Sequence, residues 1–305
     1  MVNFLGAMTN AFVLSIGLTS KEIHGRNKMP SIYMSASNLM ASFFPLSLDI
    51  FYFGFYLTNS KVNFILCNIV RKLGHHGQIP GIWSVLVVAF DRFCTFCLQK
   101  DVSHRYIFVL FTLPYAYIAV IIAVELSLNN ILFDFICIAT IEGPFWLRNL
   151  TGFLWTVSAA IATICSVFVI KSAYNFKSKT GDSWRRSTQC FEKRVSYAVF
   201  LQSLLPALLS VPFLTTMILQ YNRKNPRTQF LVNKFHLEIY NVLPDWFSWL
   251  SNSLMYIYFA LNPVITVVFI RQYQQAILKI SCFWKSSQVS SVVIPIHASV
   301  STRNT

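Results

Sequence analysis

Seven times along its 305 residues the chain settles into a long, mostly apolar run. The runs fall at about 2–20, 31–57, 67–98, 105–126, 149–172, 195–221 and 242–270. A helix of about 20 such residues spans the hydrocarbon core of a bilayer. The runs and their connectors use up the length, so no separate soluble domain fits beside them. Charged residues make up 12% of the chain, half the roughly 25% of a soluble domain. The expected fold is an all-α membrane protein: a seven-transmembrane helix bundle spanning residues 1–283. No internal repeat or low-complexity tract interrupts it. The first run lacks the basic start and small-residue cleavage site of a secretory signal. It begins almost at Met1, so the exposed N-terminus is very short or an upstream segment is missing.

The net charge of +14 would point to nucleic acid in a soluble protein. Here the basic residues sit in the loops between runs, where they set orientation instead, and no nucleic-acid partner is expected. Loops 21–29, 91–105, 171–194 and 271–305 hold 17 basic and 5 acidic residues, a balance of +12. The alternate set, 58–72, 125–148 and 222–245, holds 8 and 5, a balance of +3. Cytoplasmic loops carry the positive excess. The first set is therefore inside and the N-terminus outside. That places Cys67 and Cys137 on the oxidising side, where they can form a disulfide. The other cysteines lie in spans or on the reducing side. Cys94 and Cys97 are in apolar surroundings, and no zinc site is expected.

The third run carries the most information. It opens near Cys67, is polar through Arg71, Lys72, His75 and His76, and ends in Asp91-Arg92-Phe93. A charged pair at a helix end is costly unless it reaches water or a partner. Pro80 suits a first helical turn and favours a loop up to Gln78. The spacing from Cys67 to Asp91 favours a longer helix, and both readings stay open. His75 and His76 are no metal site, because neighbouring helical positions diverge by about 100°. Asn10 and Asp49 are polar groups inside apolar runs and need partners there. Pro206 and Pro212 bend the sixth run. Trp246, Phe247 and Trp249 form an interfacial aromatic cluster at the seventh.

After the seventh run, residues 271–283 alternate Ile277, Ile280 and Phe283 with basic and Gln positions. This is a short amphipathic helix that can lie on the membrane surface, with Cys282 as a palmitoylation candidate. Residues 284–305 read as a disordered cytoplasmic tail. Asn149-Leu150-Thr151 fits the glycosylation pattern at Asn149.

Together these features resemble the rhodopsin-like G-protein-coupled receptors. Asn10 matches the first-helix asparagine, Cys67 the cysteine heading the third helix, and Asp91-Arg92-Phe93 the motif at its inner end. Asn262-Pro263 matches the Asn-Pro of the seventh helix. The chain departs from the family at Ser42 or Phe43, where a buried aspartate is usual, and at Thr266, which replaces a tyrosine. The fourth run lacks the usual tryptophan, and the sixth lacks the Cys-Trp-x-Pro run. In this it is similar to nematode serpentine chemoreceptors, as are DRFC at 91–94 and QSLLPALLSVP at 202–212.

The resemblance implies a chemosensory receptor in the plasma membrane, or in the ciliary membrane of a sensory neuron. A small extracellular molecule would act from outside and a heterotrimeric G protein would bind the opened inner face. Asp91, Arg92, Phe93, Asn262 and Pro263 would form the switch, with Glu192 as a second partner for Arg92. Arg71, His75, Gln78, Trp155, Trp246, Asn252 and Tyr256 are the candidate ligand residues, with Arg71 as an anion anchor. Their aromatic character suits a small, mostly apolar ligand. No enzyme activity, cofactor or metal is expected, since His and Asp are too few within the spans to build such a site. A ligand-gated seven-helix channel and a secondary transporter are the rival readings. The first needs the N-terminus inside, and the second needs repeated halves with broken helices at midplane.

Overall fold

The computed structural model describes residues 1–21, 23, 28–58, 64–127, 145–175, 194–212 and 245–290. These form nine helices: α1 Val2–Thr19, α2 Lys28–Thr58, α3 Phe64–His76, α4 Ile79–Phe96, α5 His104–Ser127, α6 Phe145–Asn175, α7 Arg194–Pro212, α8 Asp245–Phe269 and α9 Arg271–Ser290. Six segments are long and apolar enough to cross a membrane: α1, α2, α3 with α4, α5, α6 and α7. This is a membrane protein with an all-helical architecture among the described residues. The stretch Tyr256–Phe269 within α8 is apolar but shorter.

The distribution of side chains inverts that of a soluble fold. Phe43, Phe53, Phe108, Phe153, Phe168, Leu208 and Val268 are exposed. Asn10, Asn38, Ser42, Ser84, Asp91, Arg92, Gln202, Asn262 and Thr266 are buried. Lipid tolerates the first set, and polar side chains in a bilayer seek one another between helices.

The two readings of the third run combine. Helix runs from Phe64, yields at Gly77-Gln78, and resumes at Ile79 with Pro80 in its first turn. Pro80 has no N–H to give to the preceding turn, so the helical ladder must break there. Gln78 stays close to helical geometry, at φ −79° and ψ −22°, and the result is one interrupted rod. This rod is the centre of the bundle: 67% of its apolar window is buried, against at most 44% for any other span. It packs against α2, α5 and α6. Gly81 lets α8 approach, since a Cβ there would collide with the Phe259 ring and meet Ala41 at 3.0 Å. Gly6 does the same for α2, with Ser42 Oγ 2.8 Å from the place a Cβ would take.

Helix α1 packs on α2, α8 and the start of α9. Tyr273 and Ala276 of α9 are buried in the core, with Ile277 against it. A Cβ on Gly17 would lie 3.0 Å from the Tyr273 hydroxyl. Burial pushes the Tyr273 phenol up to about 12, the Ser35 hydroxyl acting in the opposite direction. Helix α9 runs to Ser290, seven residues into the stretch expected to be tail. The end of the sixth run, 213–221, and residues 291–305 lie outside the described residues.

Candidate functional site

Prolines organise the polar interior. A proline within a helix cannot bond the carbonyl four residues before it, and a buried carbonyl left alone costs about 1–3 kcal/mol. Pro263 lies within α8 and so frees the Phe259 carbonyl. Asn10 of α1 donates its Nδ2 to that oxygen at 2.9 Å, and to its own Gly6 carbonyl at 2.7 Å. Pro114 lies within α5 and frees the Leu110 carbonyl. The Trp83 indole of α4 donates to it at 2.8 Å. At Pro263 and Pro114 the break in one helix thus becomes a bond to its neighbour.

One turn further along α8, Asn262 donates Nδ2 to the Tyr258 hydroxyl at 3.0 Å. Thr266 donates back to the Asn262 carbonyl at 3.1 Å. Gln202 of α7, fully buried, donates Nε2 to Thr266 Oγ1 at 2.9 Å and to the Asn262 carbonyl at 3.4 Å. Thr266 of α8 therefore receives an amide from α7 while its own hydrogen stays within α8. Above this lies an aromatic cluster. Trp155 of α6 meets Phe259 edge-on at 5.7 Å and Tyr258 at 6.5 Å.

At the end of α4, Asp91 and Arg92 are 1% and 4% exposed. Phe93 stacks edge-on against Phe168 of α6 at 6.1 Å, and Ser172 donates to the Phe96 carbonyl at 3.1 Å. Cys97 caps the helix. Partial burial pushes its thiol up, while the nearby Ser172 hydroxyl acts the other way. Glu192 lies outside the described residues.

At the opposite end, Cys67 is buried and disulfide-bonded. Among the described residues Cys94, Cys97 and Cys165 are not in disulfides. Cys137 lies outside the described residues, so the pairing expected for Cys67 does too. Arg71 is half-buried and within electrostatic reach of Tyr52, and His75 is exposed. Gln78 is 5% exposed, its carbonyl oxygen without a hydrogen bond. The half-buried Tyr256 hydroxyl lies beside Gln78 and within reach of Asp49. Asp49 is exposed and accepts a hydrogen bond from Asn3 at 2.9 Å.

Gln78 and Tyr256 thus come together, with Arg71 on the same rod. Trp155 does not join them, because it is sealed in the aromatic core at 2% exposure. The side chains of Trp246, Asn252, Asn149 and Cys282 lie outside the described residues. Asn149 itself sits inside α6, and Thr151 of its acceptor triplet is buried against His76 at 2.6 Å. The triplet is therefore helical, not the surface loop that a glycosylation acceptor needs. Among the described residues no cluster of three or more His, Cys, Asp or Glu could hold a metal ion.

Sequence reading passed over Gln202, Thr266 as an acceptor and Tyr258, and took Thr151 only as part of a glycosylation triplet. One signal was available for the central group: an asparagine or glutamine inside an apolar run needs an acceptor, and a proline four residues on marks where a carbonyl is free. No protein-family model matches the chain, and no curated protein sequence matches it.

Proposed function

We propose that this chain is a rhodopsin-like G-protein-coupled receptor that detects a small extracellular molecule and signals through a heterotrimeric G protein. In this reading α8 is the seventh span and the N-terminus is outside. Helix α9 is the amphipathic segment on the inner membrane surface, and Cys67 pairs with Cys137. The plasma membrane is its location.

The observation that carries the reading is the burial of Arg92. A guanidinium that is 4% exposed, in a bundle whose outer faces are apolar, costs several kcal/mol to desolvate. A buried ion is weak evidence for packing stability, since apolar residues of similar volume often serve as well. A charge is useful at that position if a second conformation releases it to a partner, which makes a two-state element. Its place supports this: it ends the central rod, on the basic side of the chain, 25 positions after a disulfide-bonded cysteine.

On this reading, ligand binds among the outer residues, where Gln78 and Tyr256 meet and Arg71 and His75 lie on the same rod, and biases the equilibrium toward the form that exposes Arg92. The test is a second-messenger assay in cells carrying a promiscuous G protein, screened with volatile and small water-soluble compounds. Arg92→Ala should abolish the response at unchanged surface expression. A ligand response that survives this change would sink the receptor mechanism and favour a channel or transporter.

A further inference from the structure

Gln78 sits at the break of the central rod, and only half of its amide is engaged. The side chain is 5% exposed. Its Nε2 donates to the Gly74 carbonyl at a long 3.5 Å, and its Oε1 has no hydrogen-bond partner. Turning the amide over does not help, because Oε1 would then face the Gly74 carbonyl, acceptor against acceptor. A buried amide oxygen without a donor is costly, and an apolar side chain of similar size would avoid that cost.

The backbone around Gln78 is held tightly. A Cβ on Gly77 would collide with the Phe44 side chain of α2, and one on Gly81 with the Phe259 ring of α8. The contact of Gly81 with Phe259 makes a floor, backed by the Trp155 ring edge-on to Phe259 at 5.7 Å. About one turn before that contact, on the rod and on α8, Gln78 and Tyr256 stand side by side. Exposure rises away from the floor. Gln78 is buried, Tyr256 is half-buried, and Asp49 of α2, within reach of Tyr256, is exposed. A Cβ on Gly74 would lie 3.1 Å from Leu48. Asp49 is therefore level with the turn before Gln78, about 6 Å nearer the mouth at the helical rise per residue.

The three groups thus step from solvent down to an aromatic floor, and they offer mainly acceptors. A carboxylate only accepts, and the unengaged half of Gln78 only accepts. The Tyr256 phenol alone can do both. A ligand that carries acceptors alone, such as an ether, a ketone or a carboxylate, leaves Oε1 unpaired. One that carries an O–H or N–H pairs it. Sites built around a buried polar group discriminate in this way, because the wrong ligand strands that group.

We propose that Gln78 Oε1 is the recognition point for a hydrogen-bond donor, so that the ligand is a small, mostly apolar alcohol or amine whose O–H or N–H reaches down beside Phe259. That this ligand is the extracellular signal rests on the receptor reading; its binding does not.

The test uses the full chain in lipid nanodiscs, with no G protein. The probes are the straight-chain primary alcohols from butanol to octanol, the matching primary amines and the matching methyl ethers. Each is titrated while the melting temperature is followed, in wild type and in Gln78→Met, so that effects on the bilayer cancel. An alcohol or amine should stabilise the wild type with an apparent affinity about tenfold or more above that of its ether. Gln78→Met should lose that preference. Gln78→Asn, which draws the oxygen back by one methylene, should shrink it, and serves as the readout if Gln78→Met does not fold. Asp49→Asn separates the two sources of the donor: it should weaken an ammonium ligand and leave a hydroxyl ligand unchanged, and either result upholds the site. A wild type that never prefers alcohol or amine over ether, or the same preference in Gln78→Met, would overturn the assignment. A donor preference in nanodiscs with no second-messenger response in cells would count against the receptor reading alone.

Discussion

Two amides reach into α8 from opposite sides, and they do different work. Asn10 of α1 bonds the Phe259 carbonyl, which has no other donor because Pro263 took its helical partner away. Gln202 of α7 bonds the Thr266 hydroxyl, which already has its own acceptor, and the Asn262 carbonyl, at a long 3.4 Å. The first bond cannot be given up without stranding a buried oxygen. The second can be released at the cost of the Gln202 donor alone. What decides between a fixed joint and a latch is therefore whether the acceptor has an alternative, and the chemistry of the donor does not enter. On this view α1 and α8 move as one body, and α7 is the helix free to leave.

The sharpest way to break this contrast is Asn10→Leu. Stranding the Phe259 carbonyl should cost about 1–3 kcal/mol, seen as a lower melting temperature and lower surface expression. Pro263→Ala restores the missing N–H and should recover most of that loss in the double variant. Strict additivity of the two changes would refute the account of the joint. Gly81→Ala comes next. The new Cβ meets the Phe259 ring, and overpacking of this kind costs typically 1–3 kcal/mol. It presses on Phe259 from α4, a third side of α8, without touching either amide.

Gln202→Leu should cost less, roughly 1 kcal/mol, and, if the proposed receptor function holds, should raise ligand-independent signalling because the latch is gone. Basal output no higher than wild type would make Gln202 a second joint. The smallest effect belongs to Cys97. Its thiol is pushed above the ordinary range, so less of it is thiolate at neutral pH. Alkylation should be slow near pH 7 and should quicken only as pH rises toward and past that raised value. Ready labelling at pH 7 would contradict this.

Much of the fold was legible because a bilayer imposes a length. The run at 105–126 became His104–Ser127, and the run at 149–172 became Phe145–Asn175. The third run resisted because two correct rules collided there. Pro80 does start a helix, and the polar stretch from Phe64 is also one. A proline in an early turn allows both once the ladder is broken at Gly77-Gln78. The candidate site was legible in part. Arg92 and Asn10 stand out as polar groups in apolar runs, and both are buried. Trp155 was misleading, because an aromatic near a helix start looks alike whether it lines a mouth or fills a core. His76 was read only as half of a pair unsuited to a metal, and the hydroxyl it meets, Thr151 of another helix, could not be found by spacing.

The bond from Asn10 to the Phe259 carbonyl joins residues 249 positions apart, and Gly17 closes on Tyr273. A ribosome adding about 5–20 residues per second makes the first helix tens of seconds before it makes the helices that complete its contacts. During that interval the amide of Asn10 has its own backbone at Gly6 to hold it. Helix α1 is thus made well before the contacts that lock it, and premature termination anywhere before Phe259 would leave it orphaned for the cell's quality control to find.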